Sequence, residues 1–185
     1  MSEIKTNKIS PSVGTTLTLG DTGDTITTAG TVSGFGLFSS YAIFMETHTG
    51  DVDGGTSVLN TWTTRILNTV SYNGITSASL STNQITLPIG NYFVQWASPF
   101  ANAGRATTRL YDNTAGATVG VGGSNTASSR ATNSTGFARI TPSVATAYSI
   151  DYFTTVASAT GGLGYGSDNA AADSTFTIVT IFKES

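Results

Sequence analysis

Apolar and polar residues alternate with a period of two along most of this chain. The clearest stretch is 83–100, NQITLPIGNYFVQWASPF. Gln84-Ile85-Thr86-Leu87 puts Ile85 and Leu87 on one face, and Tyr92-Phe93-Val94-Gln95-Trp96 resumes the alternation beyond Pro88-Ile89-Gly90. β-branched and aromatic residues at this period, broken by Pro and Gly, predict strand, tight turn, strand. Pro88 cannot donate to a ladder, so it belongs at the turn or a strand edge. Three aromatics within five residues belong in a small domain's core or at a subunit interface.

The same period predicts strands at 41–46 (YAIFME), 62–69 (WTTRILNT), 109–114 (RLYDNT, running into a turn), 135–142 (TGFARITP), 147–153 (AYSIDYF) and 175–182 (TFTIVTIF). Asn73-Gly74, in 71–75, marks a turn. Residues 116–130, rich in Gly, Ser and Thr, predict an exposed loop around a short strand at 117–121, and 160–173 is a Gly/Ala/Asp loop. No helical period occurs, and about eight strands at regular spacing predict a sandwich or barrel. Eight strands suit a jelly roll, whose last strand lies inside a sheet beside the first. The very apolar segment 175–182 fits that central position.

Residues 1–36 differ: no aromatic precedes Phe35. Thr16-Leu17-Thr18-Leu19 and Thr25-Ile26-Thr27 flank Gly20-Asp21-Thr22-Gly23-Asp24, which is turn chemistry. A lone hairpin this sparse in apolar residues is not stable in water and must pack on sister chains or a larger partner. The predicted organisation is therefore all-β: a short β-hairpin arm, 1–36, for anchoring or as a stalk, hinged near Ser33-Gly34-Phe35-Gly36, then a jelly-roll knob, 37–185.

Composition narrows the function. Charged residues are 10% of the 185, the net charge is −3, and cysteine is absent. No disulfide framework, thiolate chemistry or cysteine-based zinc site is available. The small core needs support from size or oligomerisation. No run of eighteen apolar residues suggests a membrane span. Met1-Ser2-Glu3-Ile4-Lys5 lacks the apolar core of a signal peptide, so assembly in a cytoplasm is expected. Mild acidity and scattered arginines argue against a nucleic-acid surface.

The hairpin at 83–100 resembles the central hairpin of the jelly-roll domains shared by complement globular heads and tumour necrosis factor, which are compact trimers. The set WTTRILNT, NQITLPIGNY, RLYDNT, FARIT and TIVTIFKE, spanning about 41–184, resembles a family of phage and bacterial virion proteins carrying such a trimeric domain. Lys5-Thr6-Asn7-Lys8-Ile9-Ser10-Pro11, Gly14-Thr15 and the segment 17–26, LTLGDTGDTI, resemble the opening of phage fibre proteins, where this segment serves attachment. The resemblance implies a homotrimer on a virion surface, bound to other virion proteins through its arm. It implies no reaction.

The residues themselves point to no active site and no cofactor. His48 is the single histidine and has no cysteine or second histidine to pair with, so it reads as a surface or interface residue. Asp51 and Asp53, followed by glycines, are half of a calcium loop by type, but the remaining acidic ligands and distal Glu are missing, which leaves a turn. Asp112, Asp151, Asp168 and Asp173 are acid/base candidates by type alone. The glycine runs at 119–123 and 161–166 lack the Lys-Ser/Thr of a phosphate loop. Arg65, Arg105, Arg109 and Arg139 are expected to pair with carboxylates or backbone at subunit contacts.

Three readings follow: a trimeric knob or short tail fibre contacting a host surface glycan or protein, a capsid decoration protein, and a spike-borne glycan hydrolase, the last weakest for want of paired carboxylates. Tyr92, Val94, Trp96, Tyr152, Phe176, Ile178 and Phe182 are expected to fill core and threefold axis. The loops 116–134 and 160–174 are expected to face a partner.

Overall fold

The computed structural model describes residues 37–128 and 131–184; the expected arm, 1–36, lies outside them. The strands are β1 (Phe38–His48), β2 (Thr63–Thr64), β3 (Thr69–Asn73), β4 (Ser79–Ser81), β5 (Gln84–Leu87), β6 (Tyr92–Phe100), β7 (Gly104–Asp112), β8 (Ala117–Val121), β9 (Asn125–Ala127), β10 (Thr132–Ile140), β11 (Thr146–Thr154) and β12 (Ser174–Glu184). Nine have four residues or more, and the two- and three-residue β2, β4 and β9 raise the count above the eight expected. Two antiparallel sheets result. The first runs β10-β6-β12-β1-β3, the second β4-β5-β11-β7-β8, with β2 added to β11 and β9 to β7. The final strand lies beside the first, inside a sheet, as its apolar sequence predicts.

Alternation places one face of each sheet inward. Ala42, Phe44, Val94, Trp96, Val179 and Ile181 of the first sheet meet Ile85, Leu87, Leu110 and Ile150 of the second. Trp96 is the largest fully buried side chain. Its indole N–H donates to Thr108 Oγ1 at 2.8 Å, Thr108 shares a 2.8 Å hydrogen bond with Ser134, and Ser134 donates to the Gly123 carbonyl at 2.7 Å. The ring lies so close to the β10 backbone that a Cβ on Gly136 would fall inside it.

The hydroxyl-rich stretch 116–134 is thus not the free loop expected. Besides the short strand expected at 117–121, which is β8, it contains β9 and the start of β10, and Ser134 sits in the core. Small residues are needed there because the chain passes directly over Trp96. The expected strand 62–69 is also corrected. Only Thr63–Thr64 and the terminal Thr69, which opens β3, lie in ladders, because residues 65–68 cross between sheets: Arg65 N–H donates to Ile150 O in the second and Asn68 N–H to Met45 O in the first. Arg65 and Leu67 point inward, so burial alternates without a continuous ladder. Around Asn73-Gly74 the chain stays in β3 through Asn73, whose side chain then braces the turn by accepting from Ile75 N and donating to Ala78 O.

At one end of the sandwich the core is polar. Arg65, fully buried, donates from Nη2 to Glu46 Oε2 at 2.8 Å and to the Leu163 carbonyl at 3.0 Å, and from Nε to Thr177 Oγ1 at 2.7 Å. Thr177 in turn lies 3.2 Å from Ser98 Oγ. His48 Nε2 is 3.2 Å from Glu46 Oε1, and its ring stands edge-on to Phe176. Burial pulls the Arg65 guanidinium below its ordinary pKa while Glu46 opposes the shift. The network ties Leu163 of the β11–β12 connection to the core. Part of the expected outer loop 160–174 is therefore buried, including Gly161, Gly162, Leu163 and Gly164.

Two outcomes check this core by urea unfolding at one protein concentration. Gly136→Ala costs about 1–3 kcal/mol through overpacking against Trp96, whereas Gly123→Ala, whose Cβ would meet only ordinary van der Waals neighbours at 3.7 Å and beyond, changes stability little. Glu46→Ala costs about 3–5 kcal/mol because it leaves a buried, unpaired guanidinium. Replacing Glu46 and Arg65 together with Met costs less than the sum of the single replacements, and additive single losses would refute the coupling.

Candidate functional site

The first sheet is apolar on its outer face as well. Strand register lines its outward side chains into rows across the sheet. Tyr41, Phe182, Phe93 and Arg139 form one. Tyr72, Ile43, Thr180, Gln95 and Phe137 form the next. Thr69, Met45, Ile178, Ala97 and Thr135 form the third. Rings meet along and between rows: Tyr41 stacks on Tyr72 at 4.5 Å, Phe38 lies 4.9 Å from Phe182, and Phe93 lies 6.2 Å from Phe137. Phe137 is 72% exposed, Tyr72 46% and Tyr41 43%.

An antiparallel sheet ordinarily buries one face and solvates the other. A contiguous exposed apolar patch of this kind marks an interaction surface. At one margin, Arg139 grips Glu184 through a two-pronged hydrogen bond, Nε to Oε1 at 2.8 Å and Nη2 to Oε2 at 2.7 Å. That hydrogen bond holds the Glu184 carboxyl below the ordinary carboxylate range and raises Arg139. A lowered carboxyl pKa stabilises above the ordinary carboxylate range, and the contribution is lost as pH falls through the folded value.

The apolar residues singled out in sequence now divide. Tyr92, Val94, Trp96, Tyr152 and Phe176 are buried between the sheets. Ile178, 38% exposed, and the half-buried Phe182 stand on the outer face, so in the expected division between core and threefold axis these two fall outside the core. The division comes from a bulge: Met45 faces Ile178, yet Thr47 faces Thr175, so β12 holds one residue more than β1 here and its parity flips.

The polar candidates separate rather than converge. Asp53 accepts from Gly166 N–H at 2.8 Å, and Asp112 caps the turn after β7 by accepting from Thr114 and Ala115 N–H. Asp151 accepts from Arg109 and from Thr64 and Ser149 hydroxyls. Asp168 and Asp173 lie in the β11–β12 connection. No cluster of three or more His, Asp or Glu able to hold a metal occurs among the described residues. Arg65, Arg109 and Arg139 pair with carboxylates, here of their own chain, and Arg105 pairs with none among the described residues. Missed in sequence was the outer face itself: Tyr41, Phe93 and Phe137 sit in alternating segments, but the period alone does not say which set of residues faces inward.

The chain matches no family model and no curated protein. Among solved structures it is similar to the globular domain of zebrafish complement 1qA protein, with a TM-score of 0.50, 12% identity, and coverage of 77% of this chain and 94% of that one. Two structures of murine APRIL, at pH 8.5 and pH 8.0, have TM-scores of 0.47 and 0.48, each at 8% identity over 78% of this chain and 99% of theirs. The complement likeness shows the fold: this chain is an all-β jelly roll of the C1q kind.

Proposed function

We propose that the chain is a non-enzymatic structural protein of a phage virion, a homotrimeric surface knob or short fibre tethered through residues 1–36 and contacting the host surface. The observation that carries the trimer is the apolar outer face of the β10-β6-β12-β1-β3 sheet. Two further copies of the same chain cover it around a threefold axis. A closed ring of this kind hides the patch on every subunit, whereas an open arrangement would continue into filaments. The low charge content, 10%, fits a surface partly covered by neighbours. The virion setting rests on the likeness of Lys5–Pro11 and 17–26 to phage fibre openings. The non-enzymatic reading is supported by the engagement of Asp112 in a turn cap and of Asp151 in an ion pair.

Light scattering on the purified chain is expected to give three times 19.0 kDa. Phe93→Asp combined with Ile178→Asp places two carboxylates on the apolar face and is expected to yield monomers that keep a β-type circular dichroism spectrum. A monomeric parent, or a trimer indifferent to both substitutions, defeats this assembly.

Deleting residues 1–34 is expected to leave a folded trimer that no longer enters virions. Normal incorporation of the truncated protein overturns the anchoring role. Counting copies per virion separates tail from head: few copies at tails agree with a fibre, and many on the shell replace it with a capsid decoration protein.

A further inference from the structure

The second sheet carries a groove of about 320 Å³ that none of these roles uses. It lies where β7 begins, β9 pairs with it and β11 ends, and its lining comprises Arg105, Ala106, Thr107, Ser124, Phe153 and Thr155. We propose that this groove binds a carboxylated sugar, with Arg105 taking the carboxylate and Phe153, backed by Trp62, taking the apolar face of the pyranose.

The cation comes first. Of the four described arginines, three hold carboxylates of their own chain, and Arg105, exposed in the groove, holds none. Its backbone is nonetheless fixed: Arg105 N–H donates to Thr155 Oγ1 at 2.8 Å, and its carbonyl accepts from Thr155 N–H at 3.0 Å. A guanidinium on a pinned backbone, inside a chain of net charge −3, is complementary to an anion from outside. Its planar fork suits a carboxylate.

The wall is preorganised. Phe153 packs against Trp62 with ring centroids 5.6 Å apart and planes at 51°. Trp62 is fixed in turn by the Arg109 guanidinium, 4.3 Å from its ring centre, and Arg109 is clamped between Trp62 and Tyr111 while it pairs with Asp151. Aromatic anchors that lose little freedom on binding give contact area at low entropic cost. The exposed Ser124 hydroxyl supplies hydrogen bonding for sugar hydroxyls beside them. A volume of this size admits one or two sugar units. The groove is on the sheet opposite the apolar trimer face.

This inference rests on the host-contact role above for its biological setting, but its test does not require the virion. The purified full chain is titrated with the methyl glycosides of N-acetylneuraminic acid, glucuronic acid and glucose, followed by saturation-transfer NMR and calorimetry. One or both acidic glycosides are expected to bind about tenfold more tightly than the neutral glucoside, with affinity falling as salt rises. Which acidic probe binds tells a sialic from a uronic acid source. Arg105→Gln, at an exposed site, is expected to remove the preference for the acid without altering the melting temperature, and Phe153→Ala to weaken every glycoside. Equal binding of acidic and neutral probes, an Arg105→Gln variant that keeps the preference, or no binding of either acid at millimolar concentration overturns the proposal, as does an acidic peptide that binds where both sugars fail. Light scattering on the same samples reports the trimer separately, so loss of the sugar site and loss of the assembly are told apart.

Discussion

A five-stranded sheet with apolar side chains on both faces cannot rest in water by itself, and the rest of this molecule answers to that constraint. Its inner face is covered by the second sheet, which contributes Ile85, Leu87, Leu110 and Ile150. Its outer face, with Tyr41, Tyr72 and Phe137 exposed, has no second layer within the described residues. Strands buried on both sides lose the in–out alternation of polarity that marks a solvated antiparallel sheet. β12 shows this most clearly: it runs down the middle of the sheet with apolar or threonine side chains on both sides and keeps its charges for the end, at Lys183 and Glu184. Covering the exposed rows with further copies, as proposed, would draw on the same driving force that closes the interior.

The interior adds a second demand, which is room for Trp96. The indole fills the space between the sheets, and the chain passing over it has no side chain at Gly136 and Gly120. Thr108 of β7 accepts the indole N–H, and Ser134 hydrogen-bonds the Thr108 hydroxyl in turn. Glycine and hydroxyl content that reads in sequence as an exposed loop is here the complement of one large ring. A buried donor left without a partner costs about 1–3 kcal/mol, which explains small polar residues where an apolar sequence would pack as tightly.

Much of the fold was legible because a period of two survives wherever a strand is regular. Segments 84–87, 92–96, 117–121 and 147–153 fall within strands, and the apolar end of the chain occupies the interior of a sheet. Legibility failed at three kinds of place. At 62–69 the alternation is real but belongs to a crossing between sheets, and periodicity registers burial, not hydrogen bonding. In β12 the bulge near Phe176 and Thr177 flips parity, so Phe176 turns inward while Ile178 turns outward. Spacing alone puts them on one face. Arg65 was misplaced because a guanidinium is ordinarily a surface group, and Glu46, Thr177 and Leu163, which make its burial tolerable, come from distant parts of the chain. Of the outer face, the residues were visible but their side was not: Phe93 and Tyr92 are adjacent aromatics, and either could face the core.

The two faces of the sandwich now differ in chemistry in a way that bears on what each can do. The first sheet offers rings with few polar groups among them, and such a surface gains from burying area against a matching surface of its own kind. The second sheet offers the opposite mixture. There the aromatic rings are interleaved with guanidinium and carboxylate groups, with Arg109 held between Trp62 and Tyr111 and anchored to Asp151. Charged groups already paired within the chain resist being stripped of water by a large apolar partner. They leave the aromatic edges available to a small polar one. A surface whose rings are pinned by an ion pair, and whose Arg105 pairs with no carboxylate among the described residues, suits the compact, hydroxylated, anionic ligand proposed for it. On the proposed roles, association and recognition fall on opposite sheets.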